Sequence, residues 1–72
     1  MDIYAEEDTK VIVTKDSIEN GYEHVEEHAK EFLKIGKSYT IDHTDVEGFN
    51  TNVYLKEFPD EMFNSVSFED IN

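Results

Sequence analysis

The stretch that comes nearest to a chemistry is His24-Val25-Glu26-Glu27-His28, which has the H-x-x-E-H spacing of inverted zinc metallopeptidases. On a helix, His24 and His28 stand one turn apart and offer two nitrogens to a metal. A carboxylate between them would serve as base, and Glu31 lies on the same flank as a third ligand. A peptidase also needs a further ligand on another element and a walled cleft, which a chain of 72 residues scarcely provides. No metal and no cofactor are therefore expected. The same histidines stand among Glu23, Glu26, Glu27 and Glu31, whose charge favours protonated imidazole and suits pH sensing. A solvated acidic helix face that contains two histidines is the simpler reading, with His43 isolated and exposed in a strand.

Other chemistries have less support. Ser65 and Ser67 alternate outward on an expected strand without nucleophile-elbow glycines, and the chain has no cysteine. Carboxylates are abundant, but a catalytic dyad needs one of them in an apolar pocket. Gly21, Gly36 and Gly48 form no phosphate-binding run. Among Tyr39, Phe49, Tyr54, Phe58, Phe63 and Phe68, most must be core in so short a chain. Phe49 and Phe63, in or beside loops, are the expected exposed anchors. The chain reads as a non-enzyme.

The elements that would position these residues follow from periodicity. Lys10-Val11-Ile12-Val13-Thr14 is β-branched and forms a first strand. Asp16 to Gly21 carries turn chemistry. Tyr22, Val25, Ala29, Phe32 and Leu33 recur at helical spacing and predict one amphipathic helix from Tyr22 to Leu33, closed near Gly36. Three β-type runs follow, Lys37 to Val46, Asn52 to Phe58 and Asn64 to Phe68. Pro59 is expected to end the second run, because it lacks a ladder donor. In the third, Val66 and Phe68 should face inward and Ser65 and Ser67 outward. The sum is a single domain over residues 1–72, α+β but mainly β: a small antiparallel barrel or meander with one helix after the first strand. Residues 1–9 read as a mobile acidic arm.

Charge is the strongest compositional signal. Eighteen acidic residues oppose six lysines, arginine is absent, and the net charge is −12. Direct nucleic-acid binding is excluded on this balance, because it rests on lysine and arginine neutralising phosphates. An anionic membrane surface would be repelled as well. Without a signal peptide or an apolar span, the chain is expected in the cytoplasm. A partner protein with a basic surface fits the charge, although acidity also serves solubility alone.

The segments Gly36-Lys37-Ser38-Tyr39-Thr40-Ile41, Val53-Tyr54-Leu55-Lys56-Glu57-Phe58-Pro59 and Phe63-Asn64-Ser65-Val66-Ser67-Phe68-Glu69 resemble a pattern of small phage and prophage proteins of undefined function. The resemblance covers about half of the chain. It implies an SH3-like β-barrel and transfers no catalytic residue. Two departures stand out. The segment from Gly21 to Leu33 is more helical and acidic than the pattern, and Asp60-Glu61-Met62 follows Pro59 where glycine is usual.

Phage origin and acidity together point to a protein that mimics a phosphate backbone. It would bind and inhibit, or modulate, a host defence or nucleic-acid-handling protein in the host cytoplasm. Glu19, Glu23, Glu26, Glu27 and Glu31 of the helical region, with Asp42, Asp45 and Glu47 from the neighbouring strand and loop, are the expected partner-binding residues. The alternative is a structural or self-assembling accessory protein, a homo-oligomer whose acidity is only solubilising.

Overall fold

The computed structural model describes residues 1–71. Its strands are β1 (Lys10–Ile12), β2 (Ser38–Val46), β3 (Thr51–Leu55), β4 (Phe58–Asn64) and β5 (Glu69–Asp70), and its helices are α1 (Lys15–Ile18) and α2 (Glu23–Phe32). A 3-10 turn, Ser65–Ser67, precedes β5. The strands form one five-stranded sheet in the order β4-β3-β2-β1-β5, antiparallel at every pairing.

Among the described residues no strand pairing joins β4 to β5, so the sheet is open where the sequence predicts a closed barrel. A register shift between Ile41 and His43 bends β2, letting it pair β1 at one end and β3 at the other. The bent sheet wraps a single core of Val11, Val13, Ile18, Ala29, Leu33, Tyr39, Ile41, Val53, Leu55, Phe63 and Phe68. Burial of each large side chain contributes about 1.5–3 kcal/mol, so this core carries the small domain without disulfides.

Two helices form where the sequence predicts one. Thr14 accepts a hydrogen bond from Ser17 N–H at 3.0 Å, and Ser17 Oγ accepts one from Thr14 N–H at 2.8 Å. This capping box turns the expected loop over residues 16–21 into a helical turn that buries Ile18. Gly21 then reverses the chain at φ +87, where a side chain would strain the backbone and press on Val66. α2 ends at Leu33, whose N–H donates to Ala29 O at 2.7 Å. The next turn is tied down twice: Lys34 N–H donates to the Tyr39 hydroxyl at 2.9 Å, and Gly36 N–H to Val13 O at 2.6 Å.

The end of the sheet departs most from expectation. β4 runs through Pro59, Asp60 and Glu61, the residues read as a break. Pro59 is tolerated because β4 is an edge strand whose outer donors need no partner. The expected third strand is instead the 3-10 turn: Asn64 Oδ1 accepts from Val66 N–H at 3.1 Å and stops the extended backbone. Phe68 is buried as expected, but the inside-out pattern inverts at Val66 and Ser67. Val66 is 39% exposed and Ser67 is fully buried.

Residues 1–9, expected as an acidic arm, lie along the sheet. Asp8 N–H donates to Ile41 O and Ile41 N–H to Thr9 O, both at 2.8 Å. Thr44 donates its hydroxyl to Ile3 O at 2.9 Å. Lys56 pairs with Glu7 at 2.8 Å and Asp8 at 2.6 Å.

Candidate functional site

α2 lies against β4 and is pinned there by aromatic rings. Phe32 meets Phe58 and Phe63 edge-on at centroid distances of 5.6 and 6.2 Å, and Phe63 meets Phe68 at 6.1 Å. Such T-shaped contacts add stability beyond the area that they bury. His28 joins the cluster with its ring 5.2 Å from both Phe32 and Phe63. Its Nε2 lies 3.8 Å from Glu61 Oε1 on β4.

Towards its N-terminus α2 leaves β4, and a cleft of about 550 Å³ opens. The helix contributes Tyr22, His24, Val25, His28 and Ala29; the opposite wall is Asn50, Asn52, Met62, Phe63, Asn64 and Ser67. Tyr22 and His24 stack in parallel at 5.9 Å along the rim. Asn64 Nδ2 donates to Asn50 Oδ1 at 3.3 Å, which joins the β2–β3 turn to the end of β4. Ser67 Oγ is buried with no hydrogen-bond partner among the described residues. The lining is thus apolar and aromatic, with carboxamides, imidazoles and one unsatisfied hydroxyl, and it carries no carboxylate.

Residues 2–72 match the family described as bacteriophage T4 protein Y07B. The chain belongs to this phage family. The match agrees with the phage resemblance carried by the sequence pattern. No curated protein and no solved structure matches the chain.

In this Y07B-family chain the expected partner-binding acids fall into two groups. Glu26 accepts from Lys30 Nζ at 2.7 Å, one helical turn away, and Glu19 lies close enough to act on the same ammonium. The hydrogen bond to Glu26 raises the Lys30 pKa; desolvation opposes it, and the weaker fields of Glu26 and Glu19 add to the rise. Glu23, Glu27 and Glu31 are exposed along α2 at four-residue spacing. On β2, Asp42 Oδ2 lies 2.6 Å from His43 Nδ1, while Asp45 and Glu47 are exposed towards the β2–β3 turn.

The histidines are placed by packing. Their rings face Tyr22, Phe32 and Phe63, and His43, exposed, stacks on Tyr54 at 4.3 Å. Among the described residues no group of three or more His, Cys, Asp or Glu is arranged to hold a metal ion. Of the two expected aromatic anchors, Phe49 is wholly exposed at 102%, but Phe63 is 3% exposed and central to the core. Phe63 moves inward because β4 continues past Pro59 and places it opposite Val53.

Sequence reasoning missed the cleft residues Ser67, Asn50, Asn52 and Asn64. One signal was available. Asn64-Ser65-Val66-Ser67 can close a tight local turn through the asparagine side chain, which would have predicted a buried rather than an outward Ser67.

Proposed function

We propose that this Y07B-family protein acts without catalysis, by binding a host protein whose surface is basic and normally engages nucleic acid. The observation that carries the reading is the charge: −12 on 72 residues without a single arginine. The row Glu23, Glu27 and Glu31 projects from a rigid helix anchored on the aromatic core. A charged row on a rigid element accelerates encounter with a cationic channel and disfavours anionic competitors. Asp45 near the end of β2 and Glu47 in the β2–β3 turn supply further exposed carboxylates.

The strand order, the bent β2 shared by both halves of the sheet and the 3-10 turn before β5 support an SH3-like path in which the closing ladder is missing. No helix among the described residues is long and apolar enough to cross a membrane, and the acidic surface suits a place in the host cytoplasm.

The test is capture of host proteins on the immobilised chain and on the triple variant Glu23→Lys, Glu27→Lys, Glu31→Lys, at low and moderate salt. A nucleic-acid-binding protein retained by the natural chain, released by salt or by competing DNA and ignored by the variant is the expected result. Equal retention by both chains would remove the α2 acids from the binding surface.

A second reading has its own observation. Ile3, Val46, Phe49 and Val66 line a shallow recess beside the β2–β3 turn, with Phe49 fully in solvent. A recess that sets these apolar side chains and a projecting ring among polar neighbours, Glu47 and Asn50 included, suits self-association in an accessory protein. Light scattering over a concentration series separates the two, because Phe49→Ser would abolish such an oligomer.

A further inference from the structure

We infer that the cleft between α2 and β4 takes an extended, basic peptide segment of a partner protein, which adds as a strand to the open half of β4. This goes beyond binding through the acidic surface, and it stands whether or not that surface displaces nucleic acid.

The argument begins with consecutive residues. Met62, Phe63 and Asn64 all line the cleft, although their side chains alternate between exposed and buried. Side chains on a strand alternate between faces, so neighbours in sequence share one cleft only along the strand's edge. That edge is free. Among the described residues the backbone of Met62–Asn64 hydrogen bonds only towards β3. Outward donors and acceptors on an unpaired edge are a template for another strand.

The two halves of β4 treat this edge differently. Phe58 to Glu61 carries Pro59, Asp60 and Glu61, the residue types that prevent strand addition. Met62 to Asn64 carries no charge and no proline. The open half is also the half that faces the cleft. At its floor Ser67 Oγ is fully buried and unpaired, a polar group that an incoming segment can satisfy.

Charge selects the occupant. A second copy would bring another −12 to the same surface, so like charge disfavours it as the occupant. A segment with lysine or arginine at its ends instead meets the general acidic field of the protein, with Glu61 next to Met62 on β4. The partly apolar lining, free of carboxylates, suits small or β-branched side chains between those ends.

The probe is a short capped peptide of alternating threonine and valine between terminal lysines. It is compared with the same peptide N-methylated at alternate backbone amides, and with one ending in glutamates. Binding is read by anisotropy and by amide shifts of the labelled protein. The lysine peptide should bind, shift the amides of Met62, Phe63 and Asn64, and lose about tenfold or more in affinity on N-methylation and on exchange of its ends. The variant Met62→Lys, which places a charge on the open half at an exposed position, should weaken binding by a similar factor. Tyr22→Ala, at the exposed rim, should weaken it less.

Undiminished binding of the N-methylated peptide would overturn strand addition. So would unshifted amides at Met62–Asn64, or no binding by any peptide at millimolar concentration. A dimer built on β4 in the protein alone would show that a second copy is the occupant, and would equally overturn the inference.

Discussion

The two edges of the sheet are treated in opposite ways. β5 is two residues long, both of them acidic, and the N-terminal segment covers it. Asp2 N–H donates to Asp70 Oδ1 at 3.1 Å, and the Met1 ammonium donates to Phe68 O at 3.3 Å. The Thr14 hydroxyl, which caps α1, also donates to Glu69. Short length, like charge and a covering segment close this edge to any further strand. β4, at the other edge, is seven residues long and is blunted only along its first half. One edge is protected along its length, and half of the other is bare, which is where the inferred strand addition would fall.

The comparison is tested most severely by Phe63→Ala. This side chain links α2, β4 and the chain's end, and its loss should destabilise by about 3–5 kcal/mol in urea unfolding. Ile71→Ala, beyond the β5 edge at an exposed position, should stay within about 0.5 kcal/mol. Similar losses for the two would mean that stability is not concentrated on the β4 side.

Thr14→Ala removes the cap of α1 together with the tie to Glu69, and should cost about 1 kcal/mol. A larger effect would mean that the β5 edge depends on that tie. Ser67→Ala bears on the other edge. A buried hydroxyl without a partner costs about 1–3 kcal/mol to desolvate, so its removal should leave stability unchanged or raise it in the free protein. A clear loss would show that the hydroxyl is already satisfied and is not held for a ligand.

The smallest effect concerns the join between the halves of the sheet. Burial acts to raise the Glu57 pKa. Hydrogen bonds from Thr40 N–H, from Glu57's own N–H and from the Thr40 hydroxyl, with Lys10 nearby, outweigh it and hold the carboxyl below its ordinary value. A lowered folded pKa contributes stability above the unfolded value, and this is lost as the pH falls through the folded one. Glu57→Gln should therefore melt below the natural protein at neutral pH, and the gap should close as the pH falls below 4.5. A gap that persists in acid would assign the loss to packing.

Much of this molecule was legible in its residues. The spacing of Tyr22, Val25, Ala29, Phe32 and Leu33 placed α2 to within a residue at each end, although Tyr22 caps the helix and is exposed instead of joining the apolar stripe. Tyr39 and Ile41, and Val53 and Leu55, stand at alternate positions within the expected β-type runs, and all four are buried, although Thr40 between the first pair is buried too. Glu23, Glu27 and Glu31 were legible as exposed, since six lysines cannot neutralise eighteen acids, while Glu26 is half-buried and paired with Lys30.

The openness of the sheet, the course of β4 and the cleft were decided only by tertiary structure. Pro59 reads as a strand end unless it is known to lie on an edge, and edges are defined by which strands happen to be neighbours. Ser67 reads as an outward strand residue until Asn64 turns the backbone beneath it. The cleft is assembled from α2, the β2–β3 turn, β4 and the 3-10 turn, elements far apart in the chain. Local patterning determines which face of each element is apolar. Only the packing of those faces decides where an edge stays uncovered and a hydroxyl stays unpaired.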